Sequence, residues 1–392
     1  MEDRNVVVAL ALVVLGAMGC GSEIGRGRIV FDTINGVPSV MNPNRGTLGE
    51  QVPWRLAEHL SVGSEAEYDG KSVIYALDVG IMPDGGVVVL DAGNQRVLRF
   101  GREGEYLGSF GSEGEGPGQF RVPLLLEVAD SLIYVVDAAQ NRLLAFDEKG
   151  EFLSSFALEF DGLVGTSPAF AAGAPDEVYL FAEPAPFMEG ARDTGSAVLY
   201  RLDAAGAIRD TVLTFPAANW TPIQLPSGRF TFAKPRLMPE PRFSAEAGVI
   251  AVNATAGYVI EIRSPSGEPI RRVARMYSHT PVTLELKDSL LERLSQGPSK
   301  LPREALEAVP FAPVVPAIED VVLDDRGRLW VDVYVPGEPT RLDIFDEEGR
   351  FLGPLRLPAP LRLEDVRGDL ACGVLSEMSG QAAVMCYRVA DG

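Results

Sequence analysis

The chain has 392 residues, more than one ordinary hydrophobic core serves, so it forms either two domains or a repeat architecture. Hydrophobic residues make up 46% of it, which excludes wholesale disorder. The formal net charge of −20 argues against nucleic acid or an anionic membrane surface as a partner, because both repel an acidic protein.

Residues 1–20 have the pattern of an export signal. The apolar run from Val6 to Met18 has the length of a signal-peptide core and is too short to span a bilayer comfortably. The "AMGC" that ends at Cys20 resembles a bacterial lipoprotein box, and this resemblance implies that Cys20 carries a lipid. Cleavage by an ordinary signal peptidase is the alternative. We expect an exported protein of the periplasm or outer membrane, attached to the membrane only through its lipid.

Residues 21–52 are predicted to form an N-terminal hairpin and a linker, ahead of the main domain over 53–392. Within "IVFDTINGVPSVM", the pair Asn35-Gly36 stands between two apolar runs. This pair is the strongest short-range signal for a β-hairpin turn.

A repeat of 46 residues follows. The segment "DAGNQRVLRFGREGEYLGSF" recurs as "DAAQNRLLAFDEKGEFLSSF", so that Asp91 and Arg96 correspond to Asp137 and Arg142. Both copies alternate in polarity and are rich in β-branched and aromatic residues, as half-buried strands are. Four short antiparallel strands at this period are typical of one blade of a β-propeller. We interpret the repeated Asp and Arg as turn-capping and inter-strand residues.

The turns of this repeat predict six blades. The turn between the first and second strands recurs six times, near Gly85, Asp130, Asp176, Gly248, Gly327 and Gly368. The turn between the third and fourth strands recurs five times, at Gly104, Gly150, Gly206, Gly267 and Gly349. The chain ends before the sixth blade has an outer strand, and the segment from Pro53 to Val62 is the natural donor of that strand. A borrowed strand closes the ring and removes its open edges. The sequence therefore predicts an all-β, six-bladed β-propeller closed by an N-terminal strand.

The stretch "GSEGEGPGQF", from Gly111 to Phe120, could cradle a phosphate or simply connect two blades. A phosphate loop opens a helix, whereas a strand follows here. Pro117 removes a backbone donor, and Glu113 and Glu115 would repel a phosphate. We therefore interpret the stretch as a connector between blades 1 and 2.

Several segments resemble known propellers. "GEGPGQFRVP" followed by "LIYVVDAAQNRLLAFDEKG" resembles the NHL-type repeat. "PAIEDVVLDDRGRLWVDVYV", "RLDIFDEEGRFLGPLRLP" and the closing "YRV" resemble a family of bacterial six-bladed propellers, often lipoproteins, without an established activity. The resemblance covers blades 1, 2 and 5 and the position of the last blade, and it is weak from Gly162 to Thr280. It implies fold and location and little about chemistry.

All of the long connections are predicted on one face of the ring. They are Glu183 to Gly195, Phe215 to Phe243 and Met276 to Pro316, in and between blades 3, 4 and 5. The last contains a small helical insertion, about 276–316, between blades 4 and 5. Thr283 to Ser295 places Leu284, Leu291 and Leu294 near one helix face, with Leu290 beside them, and Pro302 opens a second short helix. We expect a lid over this face, and a cap that only shields apolar surface is the alternative.

We place a ligand or partner under these loops. Aromatic side chains supply stacking area there, and Lys234 and Arg236 form a positive patch suited to a carboxylate. The candidate binding residues are Phe187, Trp220, Phe230, Phe232, Lys234, Arg236 and Tyr334. They predict a monomeric binding or protein-interaction module whose partner is an envelope protein or a small anionic ligand.

Catalysis is the alternative function. The chain has only two histidines, His59 and His279, and no nucleophile motif. The inner strands carry carboxylates that could bind Ca²⁺ in the central channel, namely Asp78, Glu127, Asp320 and Asp365. A metal-dependent hydrolase or lactonase would use them. We favour a hydrated acidic channel, no cofactor and no enzymatic activity, and a purely structural envelope scaffold is a third possibility.

Two of the three cysteines remain once Cys20 is assigned to a lipid. Cys372 and Cys386 are equally distant from Ser379, in the turn expected between the second and third strands of blade 6. Directly opposed residues on antiparallel strands come close enough for a disulfide, which an oxidising compartment would preserve. Two buried free thiols are the alternative.

The lipid anchor is testable by cell fractionation. Replacing Cys20 with Ser removes the only atom to which the lipid can be attached, so the protein should move from the membrane fraction to the soluble envelope fraction. A wild-type protein that is already soluble would show instead that the chain is cleaved and secreted without a lipid.

Overall fold

The protein is described here by a computed structural model. The structure describes residues 27–158, 169–174, 177–183, 196–203, 206–216, 220–225, 228, 230–296, 303–335, 340–376 and 382–391. Six antiparallel sheets form a ring in which each innermost strand contacts the innermost strands of both neighbouring sheets, the last sheet against the first. The predicted all-β, six-bladed β-propeller is therefore confirmed.

Each blade has four strands in chain order from the channel outward. Blade 1 is Ala76–Ile81, Val87–Asp91, Arg96–Phe100 and Tyr106–Phe110, and blade 2 is Pro123–Ala129, Leu132–Asp137, Arg142–Phe146 and Phe152–Ala157. Blade 3 is Ala169–Ala174, Glu177–Ala182, Ser196–Leu202 and Ile208–Pro216, and blade 4 is Arg242–Glu246, Val249–Asn253, Val259–Arg263 and Pro269–Arg275. Blade 5 is Asp320–Leu323, Leu329–Val333, Arg341–Phe345 and Phe351–Arg356, and blade 6 is Leu361–Arg367, Leu370–Ser376, Ala382–Asp391 and Trp54–Val62.

The remaining elements are short. Strands Val30–Ile34 and Val37–Asn42 form the N-terminal hairpin, and three small pairs are Glu67–Tyr68 with Lys71–Ser72, Thr221–Gln224 with Phe230–Ala233, and Thr280–Pro281 with Val314–Val315. Ala92–Asn94 is a single 3₁₀ turn, and the helices are α1, Leu284–Gln296, and α2, Arg303–Glu307. Among the residues that the structure describes, no helix is long and apolar enough to cross a membrane.

The hydrophobic core is divided among the six junctions between blades. Each junction contains one cluster of buried apolar side chains drawn from the facing sheets. Between blades 1 and 2, for example, Leu90 packs in the same cluster as Ile133 and Phe146. Every blade is thus covered on two faces, which explains the almost continuously apolar middle strands.

An N-terminal strand closes the ring, as predicted. Trp54–Val62 pairs antiparallel with Ala382–Asp391, with Trp54 opposite Asp391 and Val62 opposite Val384. Within the same blade Cys372 lies directly opposite Cys386, and their sulfur atoms are 2.05 Å apart in a disulfide. Blade 6, which combines an N-terminal strand with the last strands of the ring, is therefore also the blade that the disulfide cross-links.

The residues before this strand run along the outside of two further blades. The predicted turn at Asn35-Gly36 has both residues in the left-handed region, with φ of 53° and 79°. Val37–Asn42 then pairs in parallel with Pro269–Arg275, the outer strand of blade 4. The Leu48 amide donates to the Leu352 carbonyl of blade 5 at 2.9 Å. We call residues 30–62 the N-terminal strap, because they join the outer edges of blades 4, 5 and 6.

The glycine-rich stretch is a connector, as predicted. Its last residue, Phe120, is fully buried between blades 1 and 2, and the inner strand of blade 2 follows. The Arg142 guanidinium donates to the carbonyls of Gln119, at 2.6 Å, and Gly116, at 3.3 Å. The stretch therefore presents carbonyl oxygens to a cation, whereas a phosphate-binding loop presents amide N–H groups to an anion.

The repeated Asp and Arg are structural in both blades. Asp91 accepts hydrogen bonds from the Arg96 Nε, at 2.9 Å, and from the amide of Ile74, at 3.1 Å. Asp137 accepts from the amides of Arg121 and Val122, which enter blade 2. Asp91 and Asp137 therefore hold the segments that enter the inner strands of blades 1 and 2, which agrees with the structural role inferred from the sequence.

Asn42 is a buried side-chain contact between the strap and the ring. Its Nδ2 donates to the carbonyls of Ala274, at 3.1 Å, and Gly349, at 2.9 Å, while its Oδ1 accepts from the Phe351 amide at 2.8 Å. The side chain is completely buried. One amide group therefore joins the strap to blades 4 and 5 together.

We predict that Asn42→Ala lowers the free energy of unfolding by roughly 2–3 kcal/mol, because three backbone partners, two of them buried, lose a hydrogen bond at about 1 kcal/mol each. Urea denaturation of the mature chain measures this. The control is Asn44→Ala, an exposed neighbour in the same segment, which should leave the midpoint unchanged. Equal effects of the two substitutions would show that the Asn42 contacts do not hold the strap.

Candidate binding face

The two ends of the ring differ in the length of their connections. Turns between first and second strands, and between third and fourth strands, are short in each blade where the structure describes them. Both long insertions that the structure describes leave the ring at the other end, where the inner strands begin. We call this end the insertion face. The insertion predicted within blade 3 lies, beyond Glu183, outside the described residues.

The described parts of the two insertions fold together as one cap, comprising residues 220–240 and 280–315. Ile223 of the small strand pair packs with Ala305 and Val309 of the α2 region. The Arg236 amide donates to the Pro310 carbonyl at 2.8 Å, and the Ala312 amide donates to the Arg236 carbonyl at 2.9 Å. Segments that leave the ring at different blades thus become a single folded unit.

Helix α1 begins where the sequence predicted, but less of its apolar face is buried than we expected. Thr283 caps it, because its Oγ1 accepts from the Leu286 amide at 3.2 Å. Leu291 is buried, whereas Leu284, expected on the same apolar face, is 78% exposed. The predicted apolar face is therefore covered at Leu291 and open to solvent at Leu284. An ion pair from Arg303 to Asp288, at 2.7 Å, links α2 to α1.

The predicted positive patch is not open to an anion. Lys234 lies 2.5 Å from a Glu183 oxygen and 3.0 Å from a Glu240 oxygen, and its side chain is only 15% exposed. The Arg236 guanidinium stacks 5.8 Å from the Phe311 ring and donates to the Leu306 carbonyl at 3.4 Å. Both cations hold the cap together, so the sequence interpretation of a free anion site has to be corrected.

The other predicted binding residues are distributed unevenly. Trp220 is half-buried with Lys234 5.5 Å above its ring, and Phe232 and Tyr334 are half-buried as well. Phe230 is 63% exposed at the edge of the cap. Phe187 and the predicted lipidation site Cys20 lie outside the described residues.

The four predicted channel carboxylates all lie on inner strands, where two of them join neighbouring blades. Asp78 of blade 1 accepts from the Leu126 amide of blade 2 at 2.8 Å. Asp365 of blade 6 accepts from the Ile81 amide of blade 1 at 2.7 Å. In the part of the chain that the structure describes, no group of three or more His, Cys, Asp or Glu side chains is placed to hold a metal ion. Asp78, Glu127, Asp320 and Asp365 therefore do not form a Ca²⁺ ligand set there, which was the alternative to a hydrated acidic channel.

The channel is nonetheless more acidic than the sequence suggested. Electrostatically coupled carboxylates in and beside it are Asp78, Glu127, Glu246, Glu319, Asp320, Asp332, Glu364 and Asp365. The guanidiniums near them are those of Arg242, Arg293, Arg362 and Arg367. Among described residues, carboxylates thus outnumber guanidiniums, and an empty channel carries an excess of acidic groups.

Four of these carboxylates were missed in the sequence. Glu319 and Glu364 each precede an aspartate that had been identified, in "IEDVV" and "LEDVR". Strict alternation would turn one residue of each pair away from the channel. In blade 6 a β-bulge between Leu363 and Asp365 breaks that alternation. Glu246 and Asp332 gave no comparable signal, because acidic residues near strand ends are usually solvated.

Asp332 is the most confined of these groups. It lies directly opposite Asp320 on the neighbouring strand, and its own side chain is only 7% exposed. Burial, followed by the charges of Glu319 and Asp320, raises the pKa of Asp332 to about 8. The carboxyl group therefore holds a proton at neutral pH.

Other channel groups are shifted in the same direction. Burial raises the pKa of Asp78 to about 6 against the opposing effect of the Leu126 amide, and burial raises the pKa of Glu246 to about 7 against Arg367. Burial also raises the pKa of Glu127 well above its usual value, with Asp78 adding to the effect. Arg362, on the inner strand of blade 6, keeps 56% of its side chain exposed. The described channel walls thus carry carboxyl groups whose raised pKa values lie near neutral pH.

Comparisons with known proteins agree on the fold. Residues 81–225 match a family model, DUF5128, described as a 6-bladed beta-propeller. A solved structure from Bacteroides fragilis, described as an exported protein, is similar with a TM-score of 0.53 at 12% identity, over 90% of this chain and 99% of that one. A member of the DUF4221 family from Bacteroides vulgatus has a TM-score of 0.50 at 10% identity, over 87% of this chain and 100% of that one.

The comparisons do not extend to activity. A gluconolactonase from Xanthomonas campestris has a TM-score of 0.42 at 12% identity, over 80% of this chain and 86% of that one, which is too low to support an argument about chemistry. No functionally curated protein matches the sequence. The chain is thus similar to propellers in fold, and its function has to be argued from its own residues.

We predict that Asp332→Asn stabilises the protein at alkaline pH. In the wild type the native state holds a proton that the unfolded chain releases above about pH 4, so stability falls as pH rises towards the native pKa of about 8. The asparagine cannot ionise, so the variant should exceed wild type by at least about 1 kcal/mol near pH 9, with a smaller difference near pH 5.

Urea denaturation at the two pH values measures this difference. The control is Glu148→Gln, at an exposed position in a turn of blade 2, which should be neutral at both. A variant that loses stability as steeply as wild type would show that Asp332 is already ionised at neutral pH.

Proposed function

We propose that this chain is an exported binding or protein-interaction module whose partner contacts the insertion face. The observation that carries the proposal is the cap. Insertions that leave the ring between blades 3 and 4 and between blades 4 and 5 fold against each other on one face. Long ordered insertions confined to one end of a rigid scaffold are the usual position of binding surfaces.

Export is supported by the apolar segment at Val6 to Met18 and by the disulfide between Cys372 and Cys386, which suits an oxidising compartment. The similarity to an exported protein of Bacteroides fragilis points the same way. We propose that a lipid on Cys20 anchors the mature chain to the envelope. The strap begins ten residues later, at Val30, so the anchor would leave the ring at the outer edge of blade 4.

An envelope protein fits this face better than a small anionic ligand. Lys234 is already paired with Glu183 and Glu240, and the Arg236 guanidinium stacks on the Phe311 ring within the cap. We propose no catalytic function, because nothing on the described residues supplies a metal-ligand set for the hydrolase or lactonase alternative.

The role of the cap can be separated from its stability by two kinds of substitution. Trp220→Ala and Lys234→Ala alter residues that hold the cap, whereas Phe230→Ser alters an exposed residue at its edge. We predict that Phe230→Ser leaves the melting temperature unchanged and reduces recovery of crosslinked envelope partners several-fold, as loss of an exposed aromatic contact does. Leu107→Ser, at an exposed apolar position on the outer strand of blade 1, is the matched control.

Thermal denaturation and crosslinking are measured on the same preparations. If Trp220→Ala and Lys234→Ala lose stability and all three variants keep the wild-type partner profile, the cap only covers the ring and the proposal is wrong.

A further inference from the structure

The N-terminal strap exposes two large apolar side chains on the outer edge of the ring. Phe31 is 63% exposed on Val30–Ile34, the outermost strand of the sheet that contains blade 4. Leu48 is 49% exposed where the strap crosses blade 5, and its amide donates to the Leu352 carbonyl. Because blades 4 and 5 are neighbours, a flat surface against this side of the ring can contact both side chains.

An exposed arginine precedes each of these apolar residues by three positions, Arg28 before Phe31 and Arg45 before Leu48. A guanidinium binds phosphate through paired hydrogen bonds, and its alkyl stem can lie along an apolar surface while the charge stays in water. Arginines and aromatic or apolar residues side by side suit the boundary between lipid headgroups and acyl chains.

The charge of this region differs from that of the whole chain. The net charge of −20 predicts that most of the ring is repelled by an anionic membrane. Between residues 27 and 49 the charged side chains are Arg28, Asp32 and Arg45, two positive and one negative, which gives a net charge of +1. This side of the ring therefore lacks the general repulsion and attracts anionic headgroups weakly.

Exposed apolar residues on the outer strands of blades 1 and 2 have acidic surroundings instead. Leu107 is 53% exposed and Leu153 is 52% exposed. Leu107 follows the exposed Glu105 by two positions, and Leu153 follows the exposed Glu151 by two positions. A similar apolar exposure is thus combined with positive charge on the strap and with negative charge on these two blades.

The acidic turn beside the strap, in blade 5, is neutralised in part by its own arginine. Arg350 pairs with Asp346 and with Glu348, each at 2.6 Å. Two of the three carboxylates in "DEEGR" are thereby paired, so the turn opposes the attraction less than its composition indicates.

The proposed anchor holds the strap close to a membrane. Cys20 precedes Val30 by ten residues, and a chain of that length spans at most about 33–36 Å. Val30 therefore stays within this distance of the lipid, whatever path the intervening residues take. A tether of this length raises the effective concentration of the strap at the bilayer, so a weak contact can be occupied.

We propose that the side of the ring at blades 4 and 5 rests on the membrane that holds the anchor. Phe31 and Leu48 enter the headgroup region, and Arg28 and Arg45 contact anionic phosphates. The ring then stands on its edge, with the insertion face directed sideways towards other proteins of the same membrane. The inference rests on the proposed lipid anchor and adds the orientation of the binding module.

The test supplies the anchor chemically, so it does not depend on lipidation in cells. The chain that begins at Cys20 is coupled through this cysteine to a maleimide lipid in vesicles of phosphatidylethanolamine and phosphatidylglycerol. The other two cysteines form the buried disulfide and do not compete for the maleimide. An environment-sensitive fluorescent amino acid replaces Phe31, Leu48, Leu107 or Leu153, one at a time, and quenching by brominated lipid reports contact with the bilayer.

We expect quenching at positions 31 and 48 and none at positions 107 and 153. With the reporter at position 48, the double substitution Arg28→Gln and Arg45→Gln should reduce quenching at least about twofold, because two attractions to anionic lipid are lost. Vesicles of phosphatidylcholine should have the same effect. The matched control is Arg102→Gln, at an exposed position in a turn of blade 1, which should leave the quenching unchanged.

The apolar contribution is tested with the same reporter at position 48. Phe31→Ser should lower the equilibrium constant for contact about tenfold, or about 1.4 kcal/mol, through lost apolar contact with the bilayer. Leu107→Ser, at a similarly exposed position of blade 1, is the matched control and should behave as wild type does. Both substituted side chains are exposed, so neither change should alter the melting temperature.

Equal quenching at all four positions, or none at positions 31 and 48, would overturn the inference, since the ring would then move freely on its tether. Equal losses in the control variants would overturn it as well. The natural anchor has its own readout, which is the fractionation of Cys20→Ser in cells. If the strap residues are quenched in vesicles and Cys20→Ser changes nothing in cells, the membrane contact stands and the natural lipid does not.

Discussion

Every blade of this protein has apolar side chains on two faces, so each depends on two neighbours to cover it. The six apolar clusters each draw on two adjacent blades. An open row of blades would leave one such face uncovered at each end and would expose a sheet edge as well. The fold is therefore stable only as a closed ring, and the remaining features of the structure follow from how that ring is closed.

Closure is carried out by the N-terminal strap. Trp54–Val62 completes blade 6, and the residues before it pair with blades 4 and 5, so one segment covers the outer edges of half the ring. The disulfide and the Asn42 contacts strengthen the same region. Because a closed ring orients all six inner strands alike, their starting residues converge at one end. That convergence places the channel mouth and the cap on a common face.

Most of the architecture could be predicted from the sequence because it depends on local periodicity. The recurrence of Asp91 and Arg96 at Asp137 and Arg142 predicted the blade, the recurring turns predicted six blades, and the missing outer strand of blade 6 predicted the closing strand. The hairpin was also recognisable from Asn35-Gly36, but its position on blade 4 was not, because parallel pairing with Pro269–Arg275 depends on a contact between distant parts of the chain.

The site could be predicted less well from the sequence, because the roles of its side chains depend on partners that only folding brings to them. Lys234 and Arg236 looked like free cations in an acidic protein, and only the folded cap brings Glu183 and Glu240 to the first and the Phe311 ring to the second. Glu364 was not predicted as a channel residue, because strict strand alternation would turn it away from the channel and the β-bulge beside it breaks that alternation. The confinement of Asp332 arises from Asp320 and Glu319, which the chain brings opposite it only when blade 5 forms.

The central claim of this account is that the insertion face, and not the opposite face, meets the partner. Photo-crosslinking in living cells tests it directly, with a photoreactive residue placed at Tyr75 on the insertion face or at Asp84 in the exposed turn at the opposite end of blade 1. The account predicts a discrete crosslinked species from position 75 and none from position 84. A crosslinked partner at position 84, or the absence of any at position 75, would contradict it.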